Sequence, residues 1–206
     1  MLEYCRKKDI ERFVFISSYV YGKPEYLPID EKHNLQAYNP YTQSKIVGEE
    51  LCKSYNRDFG LKIDIIRPFN LYGKGHNDKF LIPYIVNQGF NKDKSIYLQN
   101  LKPKRDYLYI DDFTDFLLKI IEKENSGLRI INAGSGVSYS VAEVIEFVFK
   151  IMSIDKKIVE KGTKRKGEIL ETVADISKAK RLLGWKPKHD LETGLELMIR
   201  GIEKDV

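Results

Sequence analysis

At 206 residues, 42% hydrophobic and 32% charged, the chain has the composition of a globular protein long enough to bury a substantial core, which argues against disorder. Its net charge of +5 is spread along the sequence apart from a cluster at Lys161, Lys164, Arg165 and Lys166; with no groove-reading motif or zinc-ligand spacing, this mild basic excess suits anionic small molecules and gives no basis for nucleic-acid binding. No apolar run reaches the ~18 to 20 residues of a membrane span, Cys5 and Cys52 make no disulfide framework, and the lack of a secretory pattern points to the cytoplasm. His33, His76 and His189 stand alone in sequence, so no metal site is expected.

In chain order, the first residues read as a helix leading to Phe13-Val14-Phe15-Ile16, an unbroken apolar run that predicts a parallel strand buried on both faces. Ser17 and Ser18 end it. After a loop rich in Tyr, Pro and Gly, Asn39 reads as an N-cap with Pro40 at the first helical position. Val47, Gly48, Leu51, Cys52 and Tyr55 then recur at helical spacing as far as Gly60, a natural terminator. Leu61 to Ile66 predicts the next strand.

A helix after Asp111 presents Phe113, Phe116, Leu117, Ile120 and Ile121 as one apolar stripe, and Leu128 to Ile131 is a strand. Ser140 and Glu143 form a capping box that opens a helix through Val144, Phe147, Val148 and Ile151. A short helix runs from near Asp175 to Gly184, with Trp185 and Pro187 beyond it as structural residues, and Leu191 to Ile202 closes the chain. Strands alternating with helices predict an α/β fold. Gly134-Ser135-Gly136 mimics a phosphate-binding turn, but Tyr139 occupies the place of the third glycine, so the segment reads as a surface turn.

The informative spacing is Tyr41 and Lys45, which four residues apart share one helix face. A tyrosine of ordinary pKa near ~10 is almost wholly protonated at neutral pH, so a tyrosine base needs its phenolate stabilised. A neighbouring ammonium and the helix N-terminus both act in that direction. The pair suits proton removal from a hydroxyl as a hydride leaves the same carbon, with a serine hydroxyl from Ser17-Ser18 donating to the developing carbonyl.

The order Ser17-Ser18, Tyr21-Gly22, Tyr41 to Lys45, then Arg67-Pro68-Phe69-Asn70-Leu71-Tyr72-Gly73 resembles the extended short-chain dehydrogenase/reductase family, the NAD-dependent epimerase/dehydratase group acting on nucleotide sugars. Pro28-Ile29-Asp30-Glu31, Arg105-Asp106-Tyr107 before Asp111-Asp112, Arg165-Lys166-Gly167-Glu168 and Leu183-Gly184-Trp185-Lys186-Pro187 extend the likeness over the whole chain. The resemblance implies a partial Rossmann-like parallel sheet, the second half only, with a small C-terminal α/β substrate-binding region. Residues 1–70 would belong to the dinucleotide-binding domain and 71–206 mainly to the substrate region, with 107–132 returning to the sheet.

By the same resemblance Tyr41, Lys45 and a serine are catalytic, and NAD meets Tyr41, Lys45 and the backbone at Pro68 and Phe69. Asn70, Arg105 and Arg165 would hold a nucleotide-diphosphate sugar, since amide and guanidinium donors match phosphate oxygens. Relatives usually carry one more residue between the serine pair and the following Val-Tyr-Gly; counting from the strand selects Ser18, counting back from Gly22 selects Ser17. Tyr19 and Val20 stand where dehydratases of the family carry an Asp-Glu pair, which favours epimerisation of the UDP-glucose 4-epimerase type or simple redox chemistry. The alternatives are a nucleotide-sugar 4-keto reductase and an inactive sugar-nucleotide-binding fragment. The glycine-rich half of the sheet, at least ~60 residues, would be absent, so either a separate NAD-binding chain or a homodimer is the expected partner.

Overall fold

The computed structural model describes residues 1–162 and 167–204. Its elements in chain order are α1 (Leu2–Lys7), β1 (Arg12–Ile16), α2 (Pro40–Phe59), β2 (Lys62–Pro68), β3 (Asn70–Tyr72), α3 (Leu81–Phe90), β4 (Ser95–Leu98) and β5 (Lys104–Tyr109). There follow α4 (Ile110–Glu122), β6 (Leu128–Ala133), β7 (Ser138–Ser140), α5 (Val141–Met152), β8 (Lys157–Glu160), α6 (Ser177–Leu183) and α7 (Leu191–Glu203).

A three-stranded parallel sheet runs β1-β2-β6, with Phe15 beside Ile65 and Ile65 beside Ile130. One face packs on α1 and α2 through Cys5, Cys52, Ile63 and Ile65. The other face packs on α4 and α6 through Ile66, Phe116, Ile131 and Trp185, whose indole meets Phe116 edge-on. The central strand β2 is buried from Ile63 to Pro68, whereas every residue of β1 is only half-buried. This corrects the expectation of burial on both faces for Phe13 to Ile16: β1 is an edge strand, paired with β2 alone among the described residues.

A second core lies under the β3-β5-β7 sheet, where Tyr72, Ile85, Val144, Val148, Leu195 and Met198 join α3, α5 and α7. Beside it β4 and β8 form a parallel pair. The two sheets are joined at Phe69, where the chain leaves β2 and enters β3, and again between β6 and β7. The carboxyl ends of the parallel strands therefore face the second sheet, the side on which ligands of open α/β sheets bind.

Helix α2 shows how local sequence fixes this geometry. The Asn39 side chain accepts from the Thr42 backbone N–H at 2.7 Å, Pro40 occupies the first turn, and Gly60 ends the helix in the left-handed region at φ 68. In mid-helix a Cβ on Gly48 would stand 2.5 Å from Phe15 Cζ, so glycine lets α2 approach β1 closely. Replacing Asn39 by Ala is expected to cost about 1 kcal/mol, read as a lowered denaturant midpoint at unchanged slope; an unaltered midpoint would show that the cap is not used.

Beneath the amino end of the sheet the buried Asp64 bridges two strands, accepting from Arg12 Nε and Arg129 Nε, each at 2.5 Å. Arg12 also donates to the Ile120 and Lys123 carbonyls, tying down the carboxyl end of α4. Among the described residues no helix is long and apolar enough to cross a membrane.

Candidate active site

Tyr41 lies in the first turn of α2 and is 57% exposed. One turn later Lys45 is half-buried, with its Nζ 5.6 Å from the Tyr41 ring centroid and 5.4 Å from that of Phe15. The ammonium donates to the Ile16 carbonyl at 2.9 Å, which uses one of its three N–H donors. The close approach allowed by Gly48 thus delivers a phenol and a cation to the carboxyl end of β1.

The two serines that follow differ in their surroundings. Ser17 is 2% exposed; its hydroxyl donates to Glu49 Oε1 at 2.6 Å and its backbone N–H to the Ile66 carbonyl at 2.7 Å. Glu49 is in turn held by Arg67, through Nη2 to Oε2 at 2.6 Å and Nε to Oε1 at 2.9 Å. Ser18, the next residue, is half-buried.

Pro68 closes β2 opposite Ala133, and the Phe69 N–H donates to the Ala133 carbonyl at 2.9 Å. Phe69 is 6% exposed, and its ring meets that of Tyr19 edge-on with centroids 5.3 Å apart. The nearby phenols of half-buried Tyr19 and buried Tyr21 are poor proton acceptors. Burial pushes Tyr19 above its usual range and Tyr21 up to about 12, even with the Arg67 guanidinium beside Tyr21.

Asn70 and Arg105 line a cleft of about 780 Å³ between the two halves of the second sheet region. Asn70 Nδ2 donates to the Asp106 carbonyl at 2.9 Å, and Arg105 Nη1 to the Lys104 carbonyl at 2.8 Å. Arg165 lies outside the described residues. Beyond it Glu168 lines the same cleft and accepts from Asn100 Nδ2 at 2.6 Å. Tyr41, Lys45, Ser17 and Ser18 do not line this cleft.

Sequence reading missed the cleft's aromatic wall. His76 stacks on Phe80 at 4.1 Å and 24°, and Tyr97 stands opposite with Lys161 Nζ 5.7 Å from its centroid. Burial lowers the His76 pKa, which leaves a neutral ring on Phe80. The available signal was chemical: His76, Lys79, Phe80, Tyr84 and Tyr97 are aromatic or cationic residues gathered within a short stretch of chain.

The Gly134 to Gly136 turn is not a surface turn. Gly134 is buried, and the turn wraps the buried Asp106 carboxylate, which accepts from Ser135 N at 2.6 Å, Ser135 Oγ at 2.7 Å, Gly136 N at 2.9 Å and Ala174 N at 3.0 Å. Those amides are spent within the protein and cannot cradle a phosphate.

Residues 1–198 match the family model described as GDP-mannose 4,6 dehydratase. The UDP-glucose 4-epimerase of Bacillus subtilis is 30% identical over 93% of this chain, which spans 62% of that relative's length. Among solved structures, the UDP-glucose 4-epimerase of Thermotoga maritima with UDP-glucose superposes with a TM-score of 0.90 at 28% identity, over 99% of this chain and 67% of that one. The UDP-glucuronic acid 4-epimerase of Bacillus cereus in complex with UDP-glucuronic acid and NAD gives 0.89 at 29% identity, over 100% of this chain and 65% of that one. With the family model matching nearly the whole of these 206 residues, the chain belongs to the NAD-dependent epimerase/dehydratase family of the short-chain dehydrogenases/reductases.

Proposed function

We propose that this chain is the catalytic, sugar-nucleotide-binding part of an NAD-dependent epimerase that inverts the C4 carbon of a UDP-hexose. The observation that carries the reading is the meeting of Tyr41, Lys45 and the end of β1, fixed by the Lys45 to Ile16 hydrogen bond. Tyr41 takes the proton of the C4 hydroxyl and later returns it. Lys45 places positive charge beside the phenol and offers its remaining donors to a ribose hydroxyl. Ser18 donates to the developing C4 carbonyl, since the Ser17 hydroxyl is committed to Glu49. Asn70 and Arg105, which line the cleft, hold the diphosphate and nucleotide together with Arg165.

Bound NAD supplies the acceptor and donor of the C4 hydride. The exposed Tyr41, the half-buried Lys45 and the backbone at Pro68 and Phe69 suit its nicotinamide riboside end. Because the G-x-G turn serves Asp106, the proposal assigns the pyrophosphate cradle to a glycine-rich unit outside residues 1–206, in the same polypeptide or in a partner.

The test is to assay the chain with NAD and UDP-glucose, alone and after fusion to or mixing with a glycine-motif dinucleotide-binding domain. The expected result is UDP-galactose formation and NAD binding in the supplemented protein. Stoichiometric NADPH consumption with a 4-keto sugar nucleotide, and no interconversion, would replace the epimerase by a reductase. Absence of both NAD binding and turnover after supplementation would overturn the proposal.

A further inference from the structure

The carboxylate of Glu49 stands where three elements meet. On α2 it lies four residues beyond Lys45 and eight beyond Tyr41, so the three side chains occupy one helix face. It is fully buried, 0% exposed. From the residue that follows β1 it receives the Ser17 hydroxyl at 2.6 Å, and from β2 it receives Arg67, itself 2% exposed, at 2.6, 2.9 and 3.2 Å. Arg67 reaches further, donating through Nη1 to the Tyr21 hydroxyl at 3.2 Å, and that hydroxyl donates to Asn132 Oδ1 on β6 at 2.5 Å. One network thus joins the helix of Tyr41 and Lys45, the strand end leading into Ser18, and the strand leading into Pro68 and Phe69.

Stability alone is a weak reason for such a pair. Taking a carboxylate and a guanidinium out of water costs several kcal/mol each, and well-packed apolar residues of similar volume often serve a core as well or better. What an apolar pair lacks is directionality. Hydrophobic contact tolerates small slides and rotations of a helix over a sheet, whereas a bidentate ion pair sharing an oxygen with a serine hydroxyl fixes rotation and register together.

We propose that Glu49, with Arg67 and Ser17, is a positioning device for the reaction: it sets the rotation and register of α2 against the ends of β1 and β2, and so holds Tyr41 and Lys45 in reach of the hydroxyl carried by Ser18. The inference rests on the epimerase reading for its catalytic consequence, but its structural content stands apart from it. Glu49 and Arg67 touch no substrate. Ser17, the inward member of the serine pair, acts through Glu49. The buried Tyr21 extends the same hold to the loop between β1 and α2.

The decisive variant is the double replacement Glu49→Met with Arg67→Met, which exchanges the ion pair for apolar volume. Ser17→Ala is the milder companion, since it cuts only the tie to β1 and leaves Glu49 satisfied by Arg67. Two measurements are made on each: backbone hydrogen exchange, and turnover in the NAD-supplemented protein. For the double variant the expected result is a melting temperature within a few degrees of the parent, with exchange faster by about tenfold in segments 16–19 and 39–46 and unchanged in α5 and α7.

With it, kcat is expected to fall about 100-fold at nearly constant KM, the effect of misplacing groups by about 1 Å. Ser17→Ala is expected to lower kcat about 10-fold and to raise exchange about threefold in the same two segments. Should the parent itself be inactive, the epimerase reading fails while the exchange pattern still decides the positioning claim. A folded double variant with parental exchange in both segments overturns the proposal, as does exchange that rises uniformly through all helices. If the double variant does not fold, Ser17→Ala alone decides: parental local exchange and kcat reject the device.

Discussion

Replacing Tyr41 by Phe is expected to lower kcat by about 10³-fold in the NAD-supplemented protein, within the range typical of a positioned acid–base group. The fold should not respond, because the substitution removes only a hydroxyl from a ring that is 57% exposed and leaves its face beside Lys45. The KM for the UDP-sugar should change little, since the diphosphate and nucleotide are assigned to Asn70, Arg105 and Arg165. Lys45→Met should produce a comparable loss, and the double variant should be scarcely worse than either single one, as for groups that act as a unit. Turnover within tenfold of the parent would mean that the proton leaves by another route. The nearby alternatives are unattractive, because burial holds Tyr19 and Tyr21 in their protonated forms at neutral pH.

How much of this was legible in the sequence depends on the reach of the cause. The cap at Asn39, the capping box of Ser140 and Glu143, and the glycine stops at Gly60 and Gly184 are decided by residues within four or five positions, and each element lies where the pattern put it. Tyr41 and Lys45 were visible for the same reason. Burial of β1 was misjudged because its apolar run reports affinity for a core and says nothing of which neighbours supply it.

Strand β4 pairs with β8 across some sixty residues, and β3 is only three residues long, so neither shows a local period. The choice between Ser17 and Ser18 was equally out of reach. Both hydroxyls fit the local chemistry, and what separates them is Glu49 arriving from another element. The Gly134 turn was misplaced because the carboxylate it encloses, Asp106, comes from β5.

That carboxylate underlies a second large effect, this time on stability. Asp106 is wholly buried; burial pushes its carboxyl above the usual range while four donors pull it back. Oδ1 serves the Ser135 amide and hydroxyl, and Oδ2 serves the amides of Gly136 and Ala174. Asp106→Asn is nearly isosteric, yet its amide nitrogen must face one of these two sets of donors. With the nitrogen facing the Gly136 and Ala174 amides, a half-buried and a buried N–H lose their acceptor; facing Ser135, whose hydroxyl can turn to accept from it, one amide N–H does, at about 1 to 3 kcal/mol each. A destabilisation of about 2 kcal/mol follows for the less costly orientation, or about 4 to 8 °C in melting temperature for a domain of this size. Gly134→Ala should disrupt the same turn by crowding it, because a Cβ there would lie 2.8 Å from Asp106 Oδ2 and 2.5 Å from the Ala174 Cβ. The site should feel both changes. Asn70 Nδ2 rests on the Asp106 carbonyl and Arg105 is the preceding residue, so UDP affinity measured by calorimetry should weaken in step with the lost stability. An Asp106→Asn protein melting within 2 °C of the parent would show that the turn finds its acceptors elsewhere, and the assignment of its amides to this carboxylate would fall.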